Sequence, residues 1–220
     1  MKPDSSSDPV PAGPGPPLEQ LLQRATTWTG WPIDPARTRL LSRLGEWLLE
    51  EAIPAGGLGP NEANRLAERH LVDSVLFSGA WPKSDPPATV VDLGSGVGLP
   101  GLALALVWPT SQVVLVDLSG RRVQLARRAV RVLGLQNVQV RQADAATAPV
   151  ERPGDLVVAR AAGSPDVVGN WARRWAKPDG WIVIAGSHRS RPDPGPGEEI
   201  VSVPEDVLDR PVWLRKIAPA

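Results

Sequence analysis

Between Val90 and Gly101 the chain reads Val-Val-Asp-Leu-Gly-Ser-Gly-Val-Gly-Leu-Pro-Gly. A short apolar run enters a turn with glycine at 94, 96, 98 and 101 and with Pro100 where a helix would begin. Glycine permits backbone angles that side chains resist and lets a ligand approach the main chain. The helix that follows offers unpaired N–H groups and the positive end of its dipole. A strand, a glycine turn and a helix in this order need further strands alongside to bury the first, so this segment constrains the fold more than any other.

The rest of the chain supplies those strands. Apolar runs at 90–93, 113–116, 138–140, 156–158 and 181–184 alternate with helical patterns at 100–107, 119–134 and 164–176. Alternation of this kind predicts a parallel sheet with crossover helices, the doubly wound class. The nearly continuous apolar runs agree, since such strands are buried on both faces. After a Pro/Gly-rich stretch over 188–198, two strand-like pieces at 199–203 and 211–217 predict an antiparallel C-terminal hairpin. Upstream, three helices are expected, at 17–27, at 35–52 and from Asn61, a good N-cap, to Phe77. Leu40, Leu44, Trp47 and Leu48 form an apolar stripe on the second, and Leu71, Val72, Val75 and Leu76 on the third. Residues 1–17 are Pro, Ser, Gly and Asp with almost nothing apolar, a composition that predicts disorder. The chain thus divides into a tail at 1–17, a helical extension at 18–80 and a ligand-binding domain at 88–220.

Composition removes several function classes. The absence of cysteine excludes disulfides, thiolate catalysis and Cys-ligated metal, and His70 and His188 stand too far apart for ligand spacing, so no metal is expected. A formal net charge of +0 argues against a protein that coats nucleic acid, though a local basic patch remains possible. The start, Met-Lys-Pro-Asp-Ser-Ser-Ser, lacks the apolar core of a signal peptide. The longest apolar stretch, Leu99 to Trp108, is about half of what a membrane crossing needs. A soluble, cytoplasmic, monomeric protein is expected.

Two cofactors compete for the glycine turn. Gly96, Gly98 and Gly101 satisfy G-x-G-x-x-G, the dinucleotide pattern. Asp92, however, precedes Gly94 at the strand's end, where a carboxylate would repel a pyrophosphate but favour the ammonium group of a methionine moiety, directly or through water. Asp-x-Gly-x-Gly-x-Gly therefore suits S-adenosylmethionine better. Asp117, ending the second strand, can accept both ribose hydroxyls in either cofactor class. Asp144, after Ala143 at the end of the third, can meet an adenine amino group. Each alone also reads as a strand-end turn former.

The chain resembles a known family at four places: Asn64 to Ser74 (Asn-Arg-Leu-Ala-Glu-Arg-His-Leu-Val-Asp-Ser), Gly94 to Gly101, Asp117 to Val123 (Asp-Leu-Ser-Gly-Arg-Arg-Val) and Ala159-Arg160-Ala161. They are similar, in order and spacing, to the bacterial 16S ribosomal RNA guanine-N7 methyltransferase G family, also called glucose-inhibited division protein B. The similarity covers roughly residues 37 to 187, with a faint echo at Trp213 to Ile217. It implies an α/β, Rossmann-like class I methyltransferase with an N-terminal helical extension. It also implies a cofactor held at Gly94, Leu99, Ala143, Asp144 and Arg160, and a guanine of small-subunit rRNA as substrate. This chain departs from the family's pattern near the expected RNA side. The Asn-Leu-Thr element before the third helix gives way to Ile53-Pro54 and a Gly-rich stretch. The aromatic of Arg-Ala-Phe is Ala162, the lysine after the fifth strand is Ala185, and 187–204 is short and proline-rich.

Guanine N7 exposes a lone pair on the major-groove edge and needs no deprotonation, which agrees with the absence of a recognisable acid–base pair. Arg160 ends the fourth strand on the ligand side of the sheet. His70, Asp73 and Ser74 share a helix face and would orient a base, or else form a structural His–Asp pair. Arg121 and Arg128 lie with Arg131 on one helical face and would meet RNA phosphates, unless that face is simply solvated. Three other readings stay open: a methyltransferase for another substrate, a degenerate cofactor-binding protein associated with the ribosome, and, more remotely, an NAD-dependent enzyme.

Overall fold

The computed structural model describes residues 16–185 and 191–219. The first fifteen positions of the expected tail and His188 lie outside the described residues.

The N-terminal part is helical. Helix α1 spans Leu18–Thr29 and ends at Gly30, whose left-handed backbone returns its N–H to Thr26 O. Helix α2 spans Pro35–Trp47, with Asp34 accepting from the Arg37 N–H at 2.9 Å and Pro35 in the first turn. Its buried residues are Leu41, Leu44 and Trp47, whereas Leu40 of the expected stripe is only partly buried. The helix does not run regularly to Ala52, because Leu48–Ala52 form a wider π-helical turn.

The third expected helix is broken. Pro60–Arg65 form a 3-10 turn, Leu66–Val72 a π-helical stretch, Asp73–Leu76 a short α-helix (α3) and Phe77–Ala80 a second 3-10 turn. Asn61 is not the N-cap, since Pro60 already opens the first turn after Gly59. The wide turn buries Leu66, His70, Leu71 and Val72 together, although a regular 3.6-residue period would not carry all four inward.

The sheet follows. Strands β1 (Thr89–Leu93), β2 (Gln112–Asp117), β3 (Val138–Gln142), β4 (Gly154–Arg160), β5 (Ala176–Ala185), β6 (Glu198–Val203) and β7 (Val212–Ile217) lie in the order β3-β2-β1-β4-β5-β7-β6. The first five are parallel, and β7 is antiparallel to both β5 and β6. The C-terminal hairpin therefore forms, but its second strand is the one that docks on β5. Lys177–Gly180 belong to the first half of β5, at an irregularity of the β4–β5 register.

Helices α4 (Gly101–Val107), α5 (Gly120–Leu133) and α6 (Pro165–Trp175) connect the parallel strands. One hydrophobic cluster joins α1, α2, α3, α4 and α5 to one face of the sheet, so the N-terminal helices and the sheet share a core. A second cluster, with Val168, Ala172 and Trp175 of α6, covers the other face. Strand β1 stands between β2 and β4, where the chain reverses its direction of travel across the sheet. Crevices at such switch points, beyond the carboxyl ends of the strands, are where open α/β sheets bind ligands.

Candidate functional site

The glycine turn occupies that switch point. Gly94, Gly96 and Gly98 adopt φ of 67°, 59° and 105°, the left-handed region that favours glycine. The turn is tied to the end of β2: the N–H groups of Gly94 and Ser95 donate to Val116 O at 2.8 and 3.1 Å. The Gly96 N–H donates to Asp117 Oδ2 at 2.8 Å, and the Ser119 N–H donates to Asp117 Oδ1 at 2.8 Å. A Cβ at Gly96 would meet nothing within 4 Å, so this peptide is open to a ligand.

Asp92 is fully buried beneath the turn. Its Oδ2 accepts from the Gly101 N–H at 2.8 Å, while Oδ1 has no partner among the described residues. Burial pushes the carboxyl up to about 7, against the Gly101 N–H and Arg160, which favour the charged form, and with the help of the nearby Asp117 charge.

In front of the turn lies a cavity of about 550 Å³. Gly94, Ser95, Gly96, Val97 and Leu99 form one wall. The others come from Gly57–Gly59, from Glu62, Arg69, His70 and Asp73, from Arg160 and Ala161, and from Arg210–Trp213. Arg160 Nη1 donates to Arg69 O at 3.1 Å and Ser74 Oγ at 3.4 Å, which holds the end of β4 against the helical part. Ala161 follows with φ 52°, a strained angle for a residue with a side chain, and its N–H donates to Ala185 O.

His70 Nε2 lies 2.9 Å from Glu62 Oε2, and its Nδ1 is buried without a partner among the described residues. Burial lowers the imidazole pKa against the opposing pull of Glu62, while the bond to His70 holds the Glu62 carboxyl below its usual range. Asp73 pairs with Arg210, and burial nevertheless raises its pKa. The two residues that share a face thus take different partners, and the alternative His–Asp pair does not form.

The other expected site residues are distributed unevenly. Asp117 and Arg121 border a smaller recess beside the cavity, with Gly57 and Arg122 shared between the two spaces. Gly98 packs against Leu102 inside the turn. Ala143 donates its N–H to Asp117 O, and Asp144 accepts from the Ala146 N–H at 2.8 Å, so both lie along the ends of β2 and β3 and do not line the main cavity. Arg128 is exposed and paired with Glu51. Sequence reasoning passed over Arg69, Arg122, Arg210 and Trp213. Arg69 and Arg122 stand inside the quoted motifs and Trp213 opens the faint C-terminal echo, so these three were within reach; no local pattern marks Arg210.

A family model described as rRNA small subunit methyltransferase G matches residues 38–192, well over half of the chain. The ribosomal RNA small subunit methyltransferase G of Mycobacterium leprae is 39% identical over 155 residues, 69% of this chain and 62% of that protein. Its counterpart from Thermobifida fusca is 35% identical over 149 residues, 67% of this chain and 61% of that protein. The matched segment thus spans less than two thirds of either relative. Among solved structures, a SAM-dependent methyltransferase from Aquifex aeolicus superposes with a TM-score of 0.51 at 17% identity, over 82% of this chain and 98% of that one. A fibrillarin/Nop5p complex gives 0.51 at 16% identity, over 67% of this chain and 80% of that one. These two likenesses establish the shared Rossmann-like fold. On the family match, with its glycine turn seated at the switch point of the sheet, the chain is a member of the ribosomal RNA small subunit methyltransferase G family.

Proposed function

We propose that this protein transfers a methyl group from S-adenosylmethionine to N7 of a guanine in 16S ribosomal RNA, acting as a cytoplasmic monomer on the small ribosomal subunit. One observation carries the reading: an open glycine turn and four arginines, Arg69, Arg122, Arg160 and Arg210, meet in one cavity at the switch point. Arginines at a site that admits a nucleotide favour an anionic backbone.

The residues present fit the cofactor. Gly96 leaves its peptide open, and Asp92 keeps an unpartnered oxygen below the turn, within reach of an ammonium group through water. Gly94, Gly98, Leu99 and Arg160 would complete the methionine side, and Asp117, Ala143 and Asp144 would flank the nucleoside. Bound there, S-adenosylmethionine supplies an electrophilic methyl group on a positively charged sulfur.

The protein then has to align and to exclude water, and both are tasks of position. Guanine N7 carries a free lone pair and would accept the methyl group without deprotonation, so these residues need supply no general base. Glu62 occupies Nε2 of His70, and burial holds the imidazole toward neutrality, which suits a positioning role better than proton transfer. Asp73 keeps Arg210 at the cavity's rim. Phosphates on either side of a splayed guanine would run toward Arg121 and then along α5 to Arg128.

The test is methyl transfer from labelled S-adenosylmethionine to small subunits from a strain lacking its own guanine-N7 enzyme, followed by mapping of the modified base. Label on a single guanine N7 is expected. Cofactor binding without label on rRNA would overturn the substrate and leave a methyltransferase for another acceptor or a degenerate binder.

A further inference from the structure

The family's aromatic after Arg-Ala is missing here, because Ala162 stands in its place. Ala162 lies beside the turn, its Cβ 2.6 Å from where a Cβ on Gly94 would sit. The cavity nevertheless has an indole on another wall. Trp213 is the second residue of β7, and that strand runs antiparallel between β5 and β6. Its first residues therefore arrive at the edge where the parallel strands end. Trp213 is half-buried and lines the cavity together with Asp73, Arg160 and Ala161. Apart from His70 it is the only aromatic among the described residues that does so. Other indoles of the chain are engaged: Trp31 packs edge-on against Trp108, and Trp81, Trp175 and Trp181 each carry a cation over the ring. No such ring or cation partner holds Trp213 among the described residues.

A purine taken out of its stack loses its neighbours' faces, and proteins commonly replace them with an aromatic ring. Arginines at the cavity can hold phosphate, but they leave the base itself free to rotate. We propose that Trp213 is the stacking platform for the guanine that receives the methyl group. This rests on the substrate proposed above and adds a base-positioning residue to it. The indole holds the ring plane, and with it the direction of the N7 lone pair.

Trp213→Ala, Trp213→Leu and Trp213→Phe test this. Each is assayed for kcat and KM with small subunits, for S-adenosylmethionine affinity by calorimetry, and for thermal unfolding. Loss of one stacked base is worth about tenfold to a hundredfold. The Ala and Leu variants should lose that much in kcat/KM for RNA, with cofactor affinity and melting unchanged, and Phe should retain most of the activity. Leu preserves apolar bulk, so it stays informative if Ala does not fold. Leu or Ala within about twofold of wild type would overturn the proposal while leaving the methyltransferase reading intact. If wild type labels no rRNA, that reading fails separately. Binding of an RNA oligonucleotide bearing 2-aminopurine then decides: quenching that needs an aromatic at 213 supports the platform, and equal quenching in wild type and Leu overturns it.

Discussion

One wall of the cavity is a single continuous stretch, Gly94 to Leu99, while the facing walls are gathered from Glu62–Asp73, Arg160–Ala161 and Arg210–Trp213. The first is held by main-chain bonds to the end of β2 and by the Asp92 and Asp117 carboxylates. The others are held by side chains: Asp73 to Arg210 and Arg160 to Ser74 reach across the fold, and His70 to Glu62 ties the helical wall to itself. The glycine wall should therefore fail as a fold when it fails, whereas the assembled walls should lose substrate positioning at smaller cost in stability.

The largest effect is expected at Gly101→Val. A Cβ there would stand 2.2 Å from Leu115 Cδ2 and 2.9 Å from Asp92 Oδ2. Overpacking of this kind should cost about 3 kcal/mol or more in denaturant unfolding. A variant of wild-type stability would show the wall to be plastic and break the comparison.

Asp92→Asn sharpens it through pH. Burial pushes the folded carboxyl up to about 7, well above the ordinary range of a carboxylic acid. The folded state thus holds its proton where the unfolded chain has released it, and the associated stability is present below the unfolded value and lost as pH rises through the folded one. In the cofactor-free protein, Asn should raise stability near pH 8 by on the order of 2 kcal/mol and change little near pH 4. A gain of equal size at both pH values would mean that Asp92 does not titrate between them.

Asp73→Ala addresses the assembled walls. It leaves Arg210 without its carboxylate, but Arg210 is 36% exposed, which moderates the penalty to about 1–2 kcal/mol. Methyl transfer to RNA should fall by more than cofactor affinity does. Equal losses in both would mean that the pair serves the cofactor side as well.

The smallest effect belongs to Arg128→Ala. The Glu51 pair is exposed, and exposed pairs contribute little. The melting temperature should stay unchanged, and RNA affinity should drop slightly, with a shallower salt dependence. A steep loss of affinity would make α5, rather than the arginines at the cavity, the main phosphate contact.

The third expected helix shows where pattern reading runs short. Its apolar spacing announced a helical segment and a buried face, both present, but Leu66, His70, Leu71 and Val72 go inward together only through a π-helical turn that no propensity encodes. Asp117 and Asp144 fit the pattern of a ligand and of a turn former alike, and the structure gives each a turn bond: Asp117 to Gly96 and Ser119, Asp144 to Ala146.

By itself the sequence determined the parallel strands, their crossover helices and the glycine turn, because period, glycine placement and strand-end acids act over a few neighbouring residues. The tertiary structure alone decided that β7 inserts between β5 and β6, which brings Arg210 to Asp73 and Trp213 to the cavity. The edge order of a sheet depends on which apolar faces are buried at long range, and the local alternation that marks a strand is the same whichever neighbour it pairs with.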